Sequence, residues 1–247
     1  LPFLDINDEP LEGELSWSIE ANGKQMASGK GNPGDLVEST LTFENEGIYI
    51  NDGNKRYYFY RQIMNGHSQT GIVGCASIDD YLENRIKKHE FTRADKELDR
   101  INHVDYCDAN TGPIFLAYRQ AQAVQTITDG WKENNAPIYD FIAEDGVGHT
   151  IWQIADNDTI DSLVKAFKAV PALYIADGHH RTASAVKVGL KRREANPNYD
   201  GTEEFNYFLC VLFPDEQLEI MDYNRVVVDL NGNDKASFMA KVEEKFT

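Results

Sequence analysis

The sequence predicts an α/β protein of the mixed α+β kind, a mixed sheet with flanking helices. Three observations carry that reading. Short β-rich runs alternate with amphipathic helical ones over residues 47–230, and turn dipeptides separate many of them. Near residue 177 a strand, a tight Asp-Gly turn and a helix follow one another without a break. The 247 residues suffice for one large domain or two small ones with a real core.

Residues 1–46 are acidic and weakly periodic, and they are set apart as a partial N-terminal segment from an α/β domain over 47–247. Within them Asn22-Gly23 suits a type I′ turn between two short strands. After a turn at Asp52-Gly53, runs 57–63 and 70–76 are β-rich and joined across Asn65-Gly66, which predicts a hairpin. Thr92, three residues before Asp95, precedes Ala94, Leu98, Ile101 and Val104 at near-helical spacing, a capped amphipathic helix. Strands follow at 113–118 and 150–154, then a helix at 160–169. A strand at 172–176 leads through the Asp-Gly turn into a helix over 182–193. Two further β-rich runs, 206–213 and 219–229, are separated by a turn at Pro214-Asp215. Asp234 caps a last helix carrying Phe238, Val242 and Phe246. The chain opens on Leu1-Pro2-Phe3-Leu4 and stops without a C-cap, so it reads as a piece of something longer, truncated at its C-terminus.

Composition narrows the function. No apolar run approaches the ~20 residues of a membrane span. The net charge of −17 repels a phosphate backbone at long range and argues against duplex nucleic acid as a partner. Cys75, Cys107 and Cys210 lie far apart, with no Cys-x-x-Cys pair, which fits unpaired thiols in a reducing compartment. No secretory signal opens the chain, so the cytoplasm is the expected location.

The chemistry concentrates in Asp177-Gly178-His179-His180-Arg181. Where a buried strand turns abruptly into a helix, free backbone N–H groups with partial positive charge collect at the turn and attract anions. Gly178 allows close approach and positive φ. His179, His180 and Arg181 add donors, Arg181 as a two-pronged fork for phosphate oxygens. Asp177 would repel a phosphate unless Mg²⁺ or a hydroxyl lies between them, which makes it the candidate metal ligand and a candidate catalytic group. A helix cap with surface histidines explains one of these residues and leaves the others idle. A second cluster, Arg85, Lys87, Lys88, His89, Arg93, Lys96 and Arg100, is basic within an acidic chain. It surrounds Glu90, which would stay ionised there and able to take a proton, although a solvated, salt-bridged helix face has the same composition. His89-Glu90-Phe91-Thr92-Arg93 lacks the second histidine of a zinc protease motif.

Several stretches together resemble the bacterial and archaeal domain-of-unknown-function family ten-fifteen, over residues 56–227. They are Met64-Asn65-Gly66 with Gln69-Thr70-Gly71, Ile86-Lys87-Lys88-His89-Glu90 with Thr92-Arg93 and Lys96-Glu97, Asp99-Arg100, Thr111-Gly112-Pro113, the turn just described, and Tyr223-Asn224-Arg225. That family is often labelled ParB-like or SpoOJ-like, and the resemblance implies a ParB/sulfiredoxin-like core. The Asp-Gly-His-His-Arg turn is similar to the phosphate loop of free serine kinases with that fold. By that likeness His89-Glu90 matches their Pro-His-Glu segment and supplies the catalytic carboxylate. Asp177 would handle metal or hydroxyl, and Lys87, Lys88, His89, Gly178, His179, His180 and Arg181 would hold a nucleotide, ADP or ATP, with Mg²⁺. The chain departs from the pattern in having Lys88 where the kinases have Pro, a long insertion between Glu90 and Asp177, and no Pro-Pro-Tyr-Asp segment near its start.

The expectation is thus a nucleotide-binding phosphotransferase acting on a small hydroxyl metabolite such as free serine, with Glu90 as base. The alternatives are a non-catalytic nucleotide-dependent binding switch and, more weakly, a hydrolytic metal site built from Asp177, His179 and His180. Sequence leaves the oligomeric state open.

Overall fold

The computed structural model describes residues 16–21, 24–30, 55–90, 101–102, 104–105, 110, 112–222, 224 and 226–246, the first two stretches by backbone alone. β1 (Ser16–Ala21) and β2 (Lys24–Lys30) form a two-stranded antiparallel sheet that ends on the pair Ala21 and Lys24, on either side of Asn22-Gly23. The Asp52-Gly53 turn lies outside the described residues.

β3 (Tyr57–Met64) and β4 (His67–Ser77) make the expected hairpin, with Arg61 opposite Thr70 and Met64 opposite His67. Asn65 and Gly66 both have positive φ, 53° and 82°, which a primed two-residue turn requires. The Ser77 side chain caps α1 (Ile78–Leu82) by accepting from the Asp79 amide, and β5 (Ile86–Lys87) follows. Residues 101–102 and 104–105 are helical, inside the helix expected after Thr92, whose start lies outside the described residues. Then come β6 (Ile114–Tyr118), α2 (Gln122–Asn134), β7 (Tyr139–Ile142) and β8 (Gly148–Ile154). α3 (Asn157–Phe167) is capped by the Asp156 carboxylate, and β9 (Leu173–Asp177), α4 (His179–Ala195), β10 (Tyr207–Pro214) and α5 (Lys235–Glu243) complete the order. Asp234 caps α5 as its sequence predicts.

The main sheet has eight strands in the order β5-β9-β6-β10-β4-β3-β8-β7. It is mixed: β5 with β9 and β6 with β10 run parallel, and the other neighbours antiparallel. Registered positions Phe59, Trp152, Ile72, Cys210, Ile114, Leu116 and Ile175 share one face of the sheet. That face is the core, covered by Val124 of α2, Leu163 of α3, and Ala185 and Val186 of α4. Such burial of apolar area is the main force holding helices on a sheet.

α4 sits closest. A methyl group on Gly189 would come 2.5 Å from the Phe205 carbonyl oxygen and 2.7 Å from Ile78 Cδ1, so only glycine permits this approach. At its far end Arg193 grips Asp79 with both terminal nitrogens, at 2.7 and 2.9 Å, while its Nε donates to the buried Asn206 side chain at 2.7 Å. Asp105 holds Lys191 and Arg192 of the same helix. These contacts fix where the head of α4 points.

Three expectations are corrected. Among the described residues of 219–229 there is no strand: Ile220, Val226 and Val228 are exposed and no neighbour pairs with them. At 214–215 the turn is a short 3₁₀ helix, Asp215–Gln217. α4 begins three residues before the expected 182, because Gly178 alone makes the turn. α2 and the edge strand β7 had no sequence expectation. Cys75 and Cys210 are free thiols, and Cys107 lies outside the described residues. Among the described residues no helix is long and apolar enough to cross a membrane.

Candidate functional site

The site forms where β9 hands over to α4. Asp177 is the last residue of β9, Gly178 adopts the left-handed conformation at φ 95°, and His179 opens the helix. Here the turn from strand to helix runs through that left-handed residue, a conformation that costs an L side chain energy and glycine little. The first-turn amides of α4 have no intrahelical acceptor and face outward from this turn.

Pairing between β5 and β9 brings the second cluster here. The two strands are parallel, Ile86 beside Leu173 and Lys87 beside Tyr174, so both leave the sheet at the same end. Lys88-His89-Glu90 therefore emerges beside Asp177-Gly178-His179, at the carboxyl ends of strands where α/β sheets place ligands. Glu90 Oε2 stands 3.8 Å from His179 Nδ1, and the His89 and His179 rings meet edge to face, 4.3 Å between centroids.

The side chains divide by burial. His179 is only 7% exposed, whereas the Glu90 and Asp177 side chains are 63% and 73% exposed. Burial, with the neighbouring His89 and His180, holds the His179 imidazole below its ordinary pKa, against the opposing pull of Glu90 and Asp177. Among the described residues His179 Nε2 and His180 Nδ1 are enclosed without a hydrogen-bond partner.

Arg181 turns back over the junction and donates from Nη2 to Asp177 Oδ2 at 2.8 Å. Its guanidinium lies in a seat walled by two glycines. A methyl group on Gly178 would come 3.1 Å from Nε, and one on Gly112 would come 3.2 Å from Nη1. Gly112-Pro113 thus joins the site from the start of β6, a participant that the sequence reading left without a role. Its signals are a Gly-Pro pair just before a strand and a place in the Thr111-Gly112-Pro113 stretch that carries the family resemblance.

Other predicted members are turned elsewhere. The Lys88 ammonium lies 3.8 Å from the centre of the Tyr81 ring, and Arg85 is engaged by Asp80 and Glu83 at 3.2 and 2.7 Å. Lys87 lies on β5 itself. Arg93, Lys96 and Arg100 lie outside the described residues. Among the described residues no three His, Cys, Asp or Glu side chains gather as a metal cluster. Of two hollows, of about 720 and about 460 Å³, neither is lined by residues 87–90 or 177–181, and Pro113 borders the larger. The site is an open rim at strand ends.

No curated protein and no solved structure matches the chain. A family described as a protein of unknown function, DUF1015, matches residues 36–247, and the chain belongs to that family.

Proposed function

We propose that the chain binds a nucleotide by its phosphates at the head of α4 and transfers a phosphoryl group to a small hydroxyl metabolite. The observation that carries this reading is the meeting of Glu90 with the Asp177–Gly178–His179 junction across a long stretch of sequence. Anion-holding amides, an Arg fork and an exposed carboxylate then lie on one rim, which is the minimum set for phosphoryl transfer by positioning and charge. Glu90 takes the proton of the acceptor hydroxyl as its oxygen bonds to the γ-phosphorus, while the bond to the bridging oxygen breaks and the nucleoside diphosphate leaves.

Asp177 fits a Mg²⁺ ion held by one carboxylate and the nucleotide's own phosphates, since only its Oδ2 is engaged by Arg181 among the described residues. That ion would neutralise phosphate charge. The ParB/sulfiredoxin-like core and the likeness of the turn to that of free serine kinases belong to the same proposal and point to free serine as the first acceptor to try.

The test is a thermal-shift panel of nucleoside mono-, di- and triphosphates with and without Mg²⁺, followed by ³¹P NMR of ATP, Mg²⁺ and L-serine with the protein. A raised melting temperature and a new phosphate monoester resonance are expected. Binding without transfer would indicate a nucleotide-dependent switch, and no binding would end the proposal.

A further inference from the structure

The two adjacent histidines at the head of α4 are not equivalent. His179 is nearly enclosed, presents Nδ1 to the Glu90 carboxylate at 3.8 Å and stands edge to face with His89. Its Nε2 is buried and has no partner among the described residues. A neutral imidazole carries one proton, and the two placements differ in cost. On Nε2 the proton would make a buried donor without an acceptor and leave the Nδ1 lone pair facing a carboxylate. On Nδ1 the N–H faces the carboxylate, and only an acceptor goes unused. The Glu90 side chain is 63% exposed, and a turn of it closes the remaining gap to hydrogen-bond distance.

We infer that His179 is a positioning residue: its Nδ1–H holds the Glu90 carboxylate in place and its ring braces His89, while anions are held by the helix amides, His180 and Arg181. The pairing itself stands on geometry alone. Its catalytic consequence rests on Glu90 being the base of the proposed phosphotransfer.

Two measurements separate these levels. ¹⁵N NMR of the histidine-labelled protein should show His179 protonated on Nδ1 and bare on Nε2, with the Nδ1 signal moving in Glu90→Gln, a change at an exposed residue that leaves the fold alone. Protonation on Nε2, or a His179 signal indifferent to Glu90→Gln, would overturn the inference whether or not the protein is an enzyme. In the ATP, Mg²⁺ and L-serine assay, His179→Phe keeps a ring but loses the donor and should lower kcat about tenfold or more with KM for ATP little changed. His179→Asn, which places an N–H near the former Nδ1, should recover much of that loss. Circular dichroism checks that each variant is folded. A raised KM for ATP with kcat retained in both variants would make His179 an anion ligand and overturn the inference. Absence of turnover in the wild type would count against the phosphotransfer reading alone, and the NMR result would still decide the pairing.

Discussion

Arg181 and Asp177 are tied across the Gly178 turn by a 2.8 Å hydrogen bond, so the last residue of β9 and the first turn of α4 are locked to each other. The lock depends on two missing side chains, those of Gly178 and Gly112, between which the guanidinium rests.

Gly178→Ala therefore carries two penalties. The left-handed conformation costs an L residue about 1–2 kcal/mol, and the new methyl group crowds Arg181 Nε at 3.1 Å. Denaturant unfolding should show a loss of about that size. Gly112→Ala lacks the backbone penalty and should disturb the Arg181 seat with a smaller loss of stability.

Asp177→Asn keeps the shape of the turn and removes the charge. If Asp177 holds Mg²⁺, ATP binding by the variant should lose its dependence on Mg²⁺. Calorimetric titrations with and without the ion check this, and an unchanged Mg²⁺ effect would move the metal to the phosphates alone.

At the other end of α4, Arg193 bonded to both Asp79 oxygens holds that carboxyl below its ordinary value of 3.8. A folded-state pKa below the unfolded one means that the stabilisation is present above about pH 4 and is lost as pH falls through the folded value. Half-exposed Asp79 limits the effect, so Asp79→Asn should cost about 0.5–1 kcal/mol at pH 7 and less at about pH 3. Urea unfolding at the two pH values measures the difference.

Gly189→Ala should be among the most damaging small changes, because its methyl group meets a backbone carbonyl that has little room to give. Overpacking of this kind costs about 1–3 kcal/mol, read from the same unfolding curves.

How much of this was readable beforehand follows from the range of the interactions. The Asn65-Gly66 hairpin and the Asp177-Gly178 junction are local and were plain in the residues themselves. The run 219–229 has strand-like residues yet forms no strand among its described positions, since β propensity acts only where a neighbouring strand supplies hydrogen bonds. α2 keeps its apolar face at Val124, Ile127 and Trp131, but Thr126, Thr128 and Gly130 lower its helix propensity and weaken the signal in the residues alone. At the site, the residue types of both clusters were legible. That they meet depends on the parallel β5–β9 pairing, a two-residue contact between distant segments that no local pattern reveals. Exposure also escaped the sequence: nothing in His179-His180 tells which ring turns inward.

The most direct measurement is calorimetric titration of ATP with Mg²⁺ into the wild type and into Arg181→Ala. Binding by the wild type is expected, weakened on the order of ten- to a hundredfold in the variant, the cost of about 1.5–3 kcal/mol for a lost hydrogen bond to a charged group. Arg181→Lys should recover only part, since an ammonium keeps the charge without the planar pair of donors. Unchanged affinity in a folded Arg181→Ala protein, or a wild type that binds no nucleotide, would contradict a phosphate site at the head of α4.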